Sequence, residues 1–126
     1  MRKRILIVDD EPKVLNALEL RLSAEGFEVL KATNGKEALS QALRHSPDLI
    51  ILDVLLPDLD GTQVVAFLSD NPATESIPIV FLTALQNKQE EREHGNYIGN
   101  NWIFAKPFDG KELAGNIREI ISQRKT

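Results

Sequence analysis

The feature that most constrains the fold is a short aliphatic run, 49–52, which begins soon after Pro47 and ends at the carboxylate of Asp53. An uninterrupted apolar run of this length, with Gly61 beyond it, is typical of a strand buried on both faces of a parallel sheet. Ligands of such open sheets bind outside the carboxyl ends of the strands, so Asp53 is a candidate for chemistry. The alternative is that Asp53 only caps the turn that leads to Pro57.

The same kind of run recurs along the chain, with amphipathic segments between the runs. Pro12 and Asn34 are residues that favour a helix start, as is Asp109, and Gly26 is a residue that favours a helix end. The predicted strands are 5–8, 27–30, 49–52, 77–82 and 102–105. The predicted buried stripes of the helices are Val14, Leu15, Leu18 and Leu22; Ala38, Leu39, Ala42 and Leu43; Val64, Val65, Phe67 and Leu68; and Leu113, Ile117, Ile120 and Ile121.

Strands that alternate with helices predict an α/β fold in which helices cover both faces of a parallel sheet. Right-handed crossovers leave few topologies, and we expect a flavodoxin-like (βα)5 doubly wound sheet with strand order 2-1-3-4-5. Its switch point lies between the first and third strands, which end on Asp9, Asp10 and Asp53. Residues 1–126 are expected to form a single domain.

Composition narrows the class of protein further. The formal net charge is −4, which argues against nucleic acid as a direct partner because binding to phosphate backbones needs clustered Lys and Arg. The absence of cysteine excludes disulfides and thiolate metal sites. Apolar stretches are too short for a membrane span, and the run 5–8 is too short for a signal peptide. A cytoplasmic protein with no membrane partner is therefore expected.

Three carboxylates in one crevice would repel one another unless a cation lies between them. Mg²⁺ is the natural candidate, because it prefers oxygen ligands and binds through one or two carboxylates. Thr83 ends the predicted fourth strand and contributes a hydroxyl, while Lys106 follows the fifth and contributes an ammonium group. An oxygen nucleophile, a metal, a fixed cation and a hydrogen-bond donor are what phosphoryl transfer needs, and an aspartate can itself be the nucleophile.

Each of these residues also has a simpler interpretation. Asp9 and Asp10 could cap a helix, Lys106 could be a solvated turn residue, and Thr83 could be a strand-end hydroxyl without a role. The functional interpretation is favoured because the acidic pair after the first strand, Asp53, Thr83 and Lys106 follow in this order, each at the carboxyl end of a different predicted strand.

At this point the residues match a known family. The chain resembles the receiver domain of bacterial two-component response regulators from end to end. The matching motifs are VDDEP at 8–12, LDVLLPDLDG at 52–61, LTA at 82–84 and AKPF at 105–108.

The resemblance implies a role for each site residue. Asp53 would be the phosphoacceptor. Asp10 and Asp53 would ligate Mg²⁺, Asp9 would support the ion through water, and the Leu55 carbonyl would complete the shell. Thr83 and Lys106 would bind the phosphoryl oxygens. The donor would be a sensor histidine kinase, a histidine phosphotransfer protein or a small phosphodonor. A downstream effector would bind the face formed by the fourth helix, fifth strand and fifth helix. Such a domain slowly hydrolyses its own aspartyl phosphate and does not turn over an external substrate.

The chain departs from the family pattern in places that bear on switching. Ile103 occupies the position that is usually aromatic, so the resemblance does not establish the usual aromatic rotamer switch. The segment 86–95 is almost entirely polar, and we predict that the fourth helix is the most mobile element. Leu55 and Leu85 occupy the positions that govern hydrolysis in the family, and neither can orient a water. A long-lived phosphoryl group is therefore predicted.

The residues of the chain disfavour three other functions. A flavodoxin-type redox carrier would need a phosphate-binding loop after the first strand, where this chain has DDEP. A phosphohydrolase of the haloacid-dehalogenase type would need a second acid in the DVL motif at Asp53. A receiver that signals without phosphorylation is disfavoured because the acceptor-site residues are present. His45 and His94 are expected at the surface without a role. The chain fits either a stand-alone receiver or the receiver part of a longer regulator.

Overall fold

The structure of the protein is a computed structural model that describes residues 2–53, 58, 61–83, 97–98, 101–105 and 110–123. The described strands are β1 (Arg4–Val8), β2 (Glu28–Ala32), β3 (Leu49–Leu52), β4 (Ile79–Thr83), β5 (Tyr97–Ile98) and β6 (Asn101–Ala105). The described helices are α1 (Pro12–Ala24), α2 (Gly35–His45), α3 (Gly61–Ser69) and α4 (Gly110–Gln123). The segment 86–95 lies outside the described residues, so the mobility predicted for it stays a prediction.

One sheet holds these strands in the order β2-β1-β3-β4-β6-β5. The pairs from β2 to β6 are parallel, which confirms the α/β fold and the predicted order when β6 is counted as the predicted fifth strand. The prediction of five strands was incomplete, because the short strand β5 pairs antiparallel with β6 at the edge of the sheet. Two residues carry no alternation that a sequence pattern could reveal.

The sheet is covered by helices on both faces, as alternation along β1 shows. Ile5 and Ile7 pack in a core cluster with α1 and α4, whereas Leu6 and Val8 pack in a second cluster with α2 and α3. All four residues of β3 are buried, which explains its uninterrupted aliphatic sequence. Burial of each such side chain contributes roughly 1.5–3 kcal/mol, so the two clusters hold the strand ends in place.

The helix boundaries follow the local signals in the sequence. Pro12 occupies the first turn of α1, and Gly26, just past the helix end, has a φ of 95° that favours glycine. Asn34 caps α2, because its side-chain oxygen accepts a hydrogen bond from the Glu37 backbone amide at 2.8 Å. The predicted cap of the last helix, Asp109, lies outside the described part of the chain.

Two residues of the predicted buried stripes are at the surface. Leu43 is 51% exposed and Phe67 is 67% exposed, so their assignment to the core was wrong. Leu43 directly follows the buried Ala42, and Phe67 directly precedes the buried Leu68. Neighbours along a helix are separated by about 100° around its axis, and the sheet covers only the face of the buried residue.

Among the strand bounds, those of β2 and β4 differ most from prediction. β2 runs from Glu28 to Ala32 and so lies later than the predicted 27–30. β4 begins at Ile79, and Pro78 precedes it, with its carbonyl accepting a hydrogen bond from the Ile50 amide at 3.0 Å. Proline lacks an amide proton, so its carbonyl can accept a hydrogen bond at the end of the strand although its nitrogen cannot donate one.

Among the helices that the structure describes, none combines the length and the apolar character needed to cross a membrane.

Candidate functional site

The carboxyl edge of the sheet brings two aspartates side by side. Val8 and Leu52 are register partners in the pair formed by β1 and β3, and Asp9 and Asp53 are the residues that follow them. The Asp53 amide donates to the Val8 carbonyl at 3.1 Å, and the Asp9 amide donates to the Ala32 carbonyl at 3.2 Å. These bonds extend the ladders past the strand ends and fix both backbones.

Asp9, Asp10 and Asp53 form one cluster of carboxylates. One ligand oxygen from each lies within 4.8 Å of the others. Asp9 is 2% exposed and Asp53 is 7% exposed, whereas Asp10 is exposed to solvent. The predicted convergence of the three acids is therefore confirmed, and solvent reaches the cluster on the side of Asp10.

The start of α1 bears on the alternative that Asp9 and Asp10 are capping residues. The residue at the N-cap position is Glu11, whose side chain makes no capping hydrogen bond. Asp9 accepts a hydrogen bond from the Glu11 amide at 2.9 Å, which closes a tight turn in front of the helix. This bond orients the Asp9 carboxylate beside Asp53, so the turn and the cluster are compatible.

The backbone brings Thr83 to the same edge of the sheet. Thr83 is the last residue of β4, beyond the register pair of Leu52 with Phe81, and its own partner is Ala105 at the end of β6. Lys106 follows Ala105 along the chain but lies outside the described residues, as does Leu55. The roles of Lys106 and Leu55, and that of the Thr83 side chain, stay predictions.

Asp58 received no role from the sequence. Its Oδ1 accepts a hydrogen bond from the Gly35 amide at 2.7 Å, and its Oδ2 accepts one from the Lys36 amide at 3.1 Å. The connection that follows Asp53 is thereby tied to the first turn of α2. No local pattern predicts a contact across 22 residues, and the only hint was an acid directly after Pro57.

His45, the histidine that the structure describes, is not part of the acidic cluster. His45 is the last residue of α2, and its backbone carbonyl accepts a hydrogen bond from Arg4 at 3.1 Å, at the opposite edge of the sheet. His94 lies outside the described residues.

A parallel sheet with an acidic cluster at its carboxyl edge defines a class of α/β proteins, and comparison with known proteins gives the family. The family model of the response regulator receiver domain matches residues 5–118, and the chain belongs to this family. This confirms a receiver domain of two-component signalling, in preference to a redox carrier or a phosphohydrolase.

Relatives and solved structures agree with this assignment. The chain is 40% identical over 120 residues to the response regulator PleD of Caulobacter vibrioides, covering 95% of this chain and 26% of PleD. It is 36% identical over 121 residues to the alkaline phosphatase synthesis transcriptional regulatory protein PhoP of Bacillus subtilis, covering 96% of this chain and 49% of PhoP. The crystal structure of a response regulator from Chloroflexus aurantiacus matches with a TM-score of 0.84 and 36% identity, covering 98% of this chain and 100% of that one.

The chain thus spans about half the length of PhoP and about a quarter of PleD.

Proposed function

We propose that this receiver domain accepts a phosphoryl group on Asp53 and that the phosphorylated form binds its partner differently. The observation that carries the proposal is the convergence of Asp9, Asp10 and Asp53 at the carboxyl edge of the sheet. Bringing three like charges together costs stability, so a cluster of this kind is typical of a site that binds a cation and a phosphoryl group.

Among the three acids, the position of Asp53 favours it as the nucleophile. It follows β3, which lies between β1 and β4, so it is flanked by the strand that carries Asp9 and by the strand that ends at Thr83. Its backbone is anchored to Val8, and its side chain is 7% exposed. A nucleophile held in a central and mostly buried position reacts with little loss of orientational freedom.

The proposed reaction is an in-line transfer of a phosphoryl group. A carboxylate oxygen of Asp53 forms the new bond to phosphorus as the bond from phosphorus to the imidazole nitrogen of a phosphohistidine breaks. The imidazole leaves with the bonding electron pair and takes up a proton. The product is an acyl phosphate on Asp53, which water later hydrolyses.

The acidic cluster fits Mg²⁺ by the nature and spacing of its donors. Carboxylate oxygens are the hard ligands that Mg²⁺ prefers, and three of them lie within 4.8 Å of one another. Asp10 and Asp53 are the proposed direct ligands, with Asp9 acting through water and the Leu55 carbonyl as a further ligand. When bound, the ion supplies positive charge that offsets the carboxylates and the phosphoryl oxygens.

Thr83 and Lys106 are proposed to bind the phosphoryl oxygens. Support comes from the register of the sheet, since Thr83 pairs with Ala105, the residue directly before Lys106. A hydroxyl and an ammonium group arriving from neighbouring strands can stabilise charge that develops during transfer.

The proposed phosphodonor is a histidine kinase or a histidine phosphotransfer protein, and the proposed location is the cytoplasm. The proposed effector surface includes β6 and α4 together with the segment 86–95. An added phosphoryl dianion can order a bistable element, which is the physical basis of switching.

The test is the intact mass of the protein after incubation with acetyl phosphate, with and without Mg²⁺. We expect one Mg²⁺-dependent phosphoryl adduct in the wild type and none in Asp53→Asn. Asp48→Asn is the matched control, because Asp48 precedes the same strand at its other end and should leave the adduct intact.

A wild type that neither forms an adduct nor binds beryllofluoride, a mimic of the phosphoryl group, would contradict the proposal and indicate phosphorylation-independent signalling. Beryllofluoride binding without an adduct would indicate rapid hydrolysis, against the predicted long lifetime.

A further inference from the structure

The first turn of α2 has its amide groups satisfied from two directions. The Ala38 amide bonds to the Asn34 carbonyl at 3.0 Å, and the Glu37 amide bonds to the Asn34 side chain at 2.8 Å. The remaining two amides of the turn, those of Gly35 and Lys36, bond to the two carboxylate oxygens of Asp58. The Ala38 bond is the first bond of the helix itself, so two of the three capping bonds come from Asp58, in the connection that follows Asp53.

These two bonds join a full negative charge to the positive end of a helix. Hydrogen bonds with an ionised acceptor are stronger than neutral ones, and a helix N-terminus stabilises an anion. With both oxygens engaged on adjacent amides, the direction of the Asp58 side chain is fixed as well as its distance. The contact is suited to holding a segment of chain in place.

The bonds of Asp58 add to the backbone bonds near the acidic cluster. The Asp9 amide bonds to Ala32, the last residue of β2, and the chain continues from there into α2. Asp58 returns from α2 to the connection after Asp53, whose own amide bonds to Val8. Asp9 is therefore bonded to the end of β2, and Asp58, five residues after Asp53, is bonded to the start of α2.

We propose that Asp58 is a positioning residue, whose carboxylate fixes the connection after Asp53 against α2 and so orients the acidic cluster for Mg²⁺ and for phosphoryl transfer. The inference rests on the proposed function of Asp53. The connection is held at its start by the Asp53 amide, at Asp58 by two bonds, and at its end by the buried Gly61. Loss of the two Asp58 bonds removes the anchor that the structure describes between Asp53 and Gly61.

The test compares Asp58→Ala and Asp58→Asn with Asn34→Ala. Asn34→Ala is the matched control, because it removes a side-chain cap from the same turn of the same helix without touching the connection after Asp53. We expect Asp58→Ala to lower the Mg²⁺ affinity and the rate of phosphorylation by acetyl phosphate about tenfold each, as loss of an outer-shell partner does. Asn34→Ala should change both by less than about twofold, although both variants lower the urea midpoint.

Asp58→Asn and amide exchange separate positioning from direct metal binding. Asn retains an acceptor oxygen, so we expect its Mg²⁺ affinity to lie between those of the wild type and Asp58→Ala, with exchange at Gly35 and Lys36 accelerated in the same order. An Mg²⁺ affinity reduced as far as in Asp58→Ala, with wild-type exchange at those amides, would overturn the inference in favour of a metal ligand.

Equal effects of Asp58→Ala and Asn34→Ala on Mg²⁺ affinity would show Asp58 to be a helix cap only. The Mg²⁺ titration needs no phosphorylation, so it tests the role of Asp58 independently of the proposed function. Failure of the proposed function would instead be seen as a wild type that acetyl phosphate does not phosphorylate.

Discussion

The two ends of β3 carry the same residue type in opposite surroundings. Asp48 precedes the strand, is half-buried, and accepts a hydrogen bond from the Arg4 amide at 2.8 Å. Asp53 follows the strand, is 7% exposed, and lies in a cluster with two other carboxylates. One aspartate joins the start of the strand to its neighbour, whereas the other is held where like charges meet.

The rest of the amino edge follows the pattern of Asp48. Arg4 bonds to Glu28 at 2.6 Å, and Arg118 bonds to Glu25 at 2.6 Å while lying 5.5 Å from the centre of the Phe27 ring. Exposed ion pairs of this kind contribute little to stability, because solvent screens them. Acids at the amino edge thus contribute modestly to stability, whereas acids at the carboxyl edge are placed for binding at the expense of stability.

The largest expected difference between the edges is in Mg²⁺ affinity. Asp10→Asn should weaken Mg²⁺ binding by on the order of 10–100-fold, because it removes a proposed charged ligand. Asp48→Asn should leave the affinity within about twofold of the wild type. Isothermal titration calorimetry measures both affinities. Equal weakening in the two variants would show that the two edges do not differ in Mg²⁺ binding.

The second difference is in how removal of a charge at each edge changes the free energy of unfolding without Mg²⁺: the two changes are expected to have opposite signs. Two charges within 4.8 Å of each other repel by about 3 kcal/mol or more at an effective dielectric constant of about 20. We therefore expect Asp53→Asn to raise the free energy of unfolding by about 1–2 kcal/mol. Asp48→Asn should lower it by about 0.5–1 kcal/mol, because a charge-assisted hydrogen bond becomes a neutral one.

Urea unfolding at neutral pH in the presence of a chelator measures both changes. Destabilisation by both substitutions would show that repulsion does not dominate at the carboxyl edge. Addition of Mg²⁺ should shift the wild type toward higher stability and leave Asp53→Asn nearly unchanged.

The smallest expected effect concerns the amino edge at acid pH. The hydrogen bond from the Arg118 guanidinium lowers the pKa of Glu25 below its usual value. The pair therefore contributes fully above the usual pKa of a glutamate, and its contribution is lost as the pH falls through the lowered value. Glu25→Gln should be less stable than the wild type at neutral pH, by less than any other change considered.

Urea midpoints measured from neutral to acid pH should show the gap between Glu25→Gln and the wild type closing as the pH falls. High salt should narrow the gap at neutral pH, since exposed pairs are screened. A gap independent of pH would contradict the assignment of the pair.

Much of this fold could be predicted because its signals are local. The aliphatic run of β3, the cap at Asn34 and the glycine at Gly26 each depend on residues close in sequence, and the structure agrees with all three. Prediction was wrong where burial depends on which face a helix presents. The exposure of Leu43 and Phe67 is set by the position of the sheet, which the helical periodicity alone does not contain.

The candidate site divides in the same way. The acids that follow the first and third strands are visible in the sequence, and the rule for parallel sheets then places Asp9, Asp10 and Asp53 at one site. The bonds from Asp58 to Gly35 and Lys36 could not be predicted in this way, because the partners are far apart in sequence and meet through the packing of α2 beside α3. Contacts that depend on strand order and helix packing have no local signature, whereas the residues that end a strand have one.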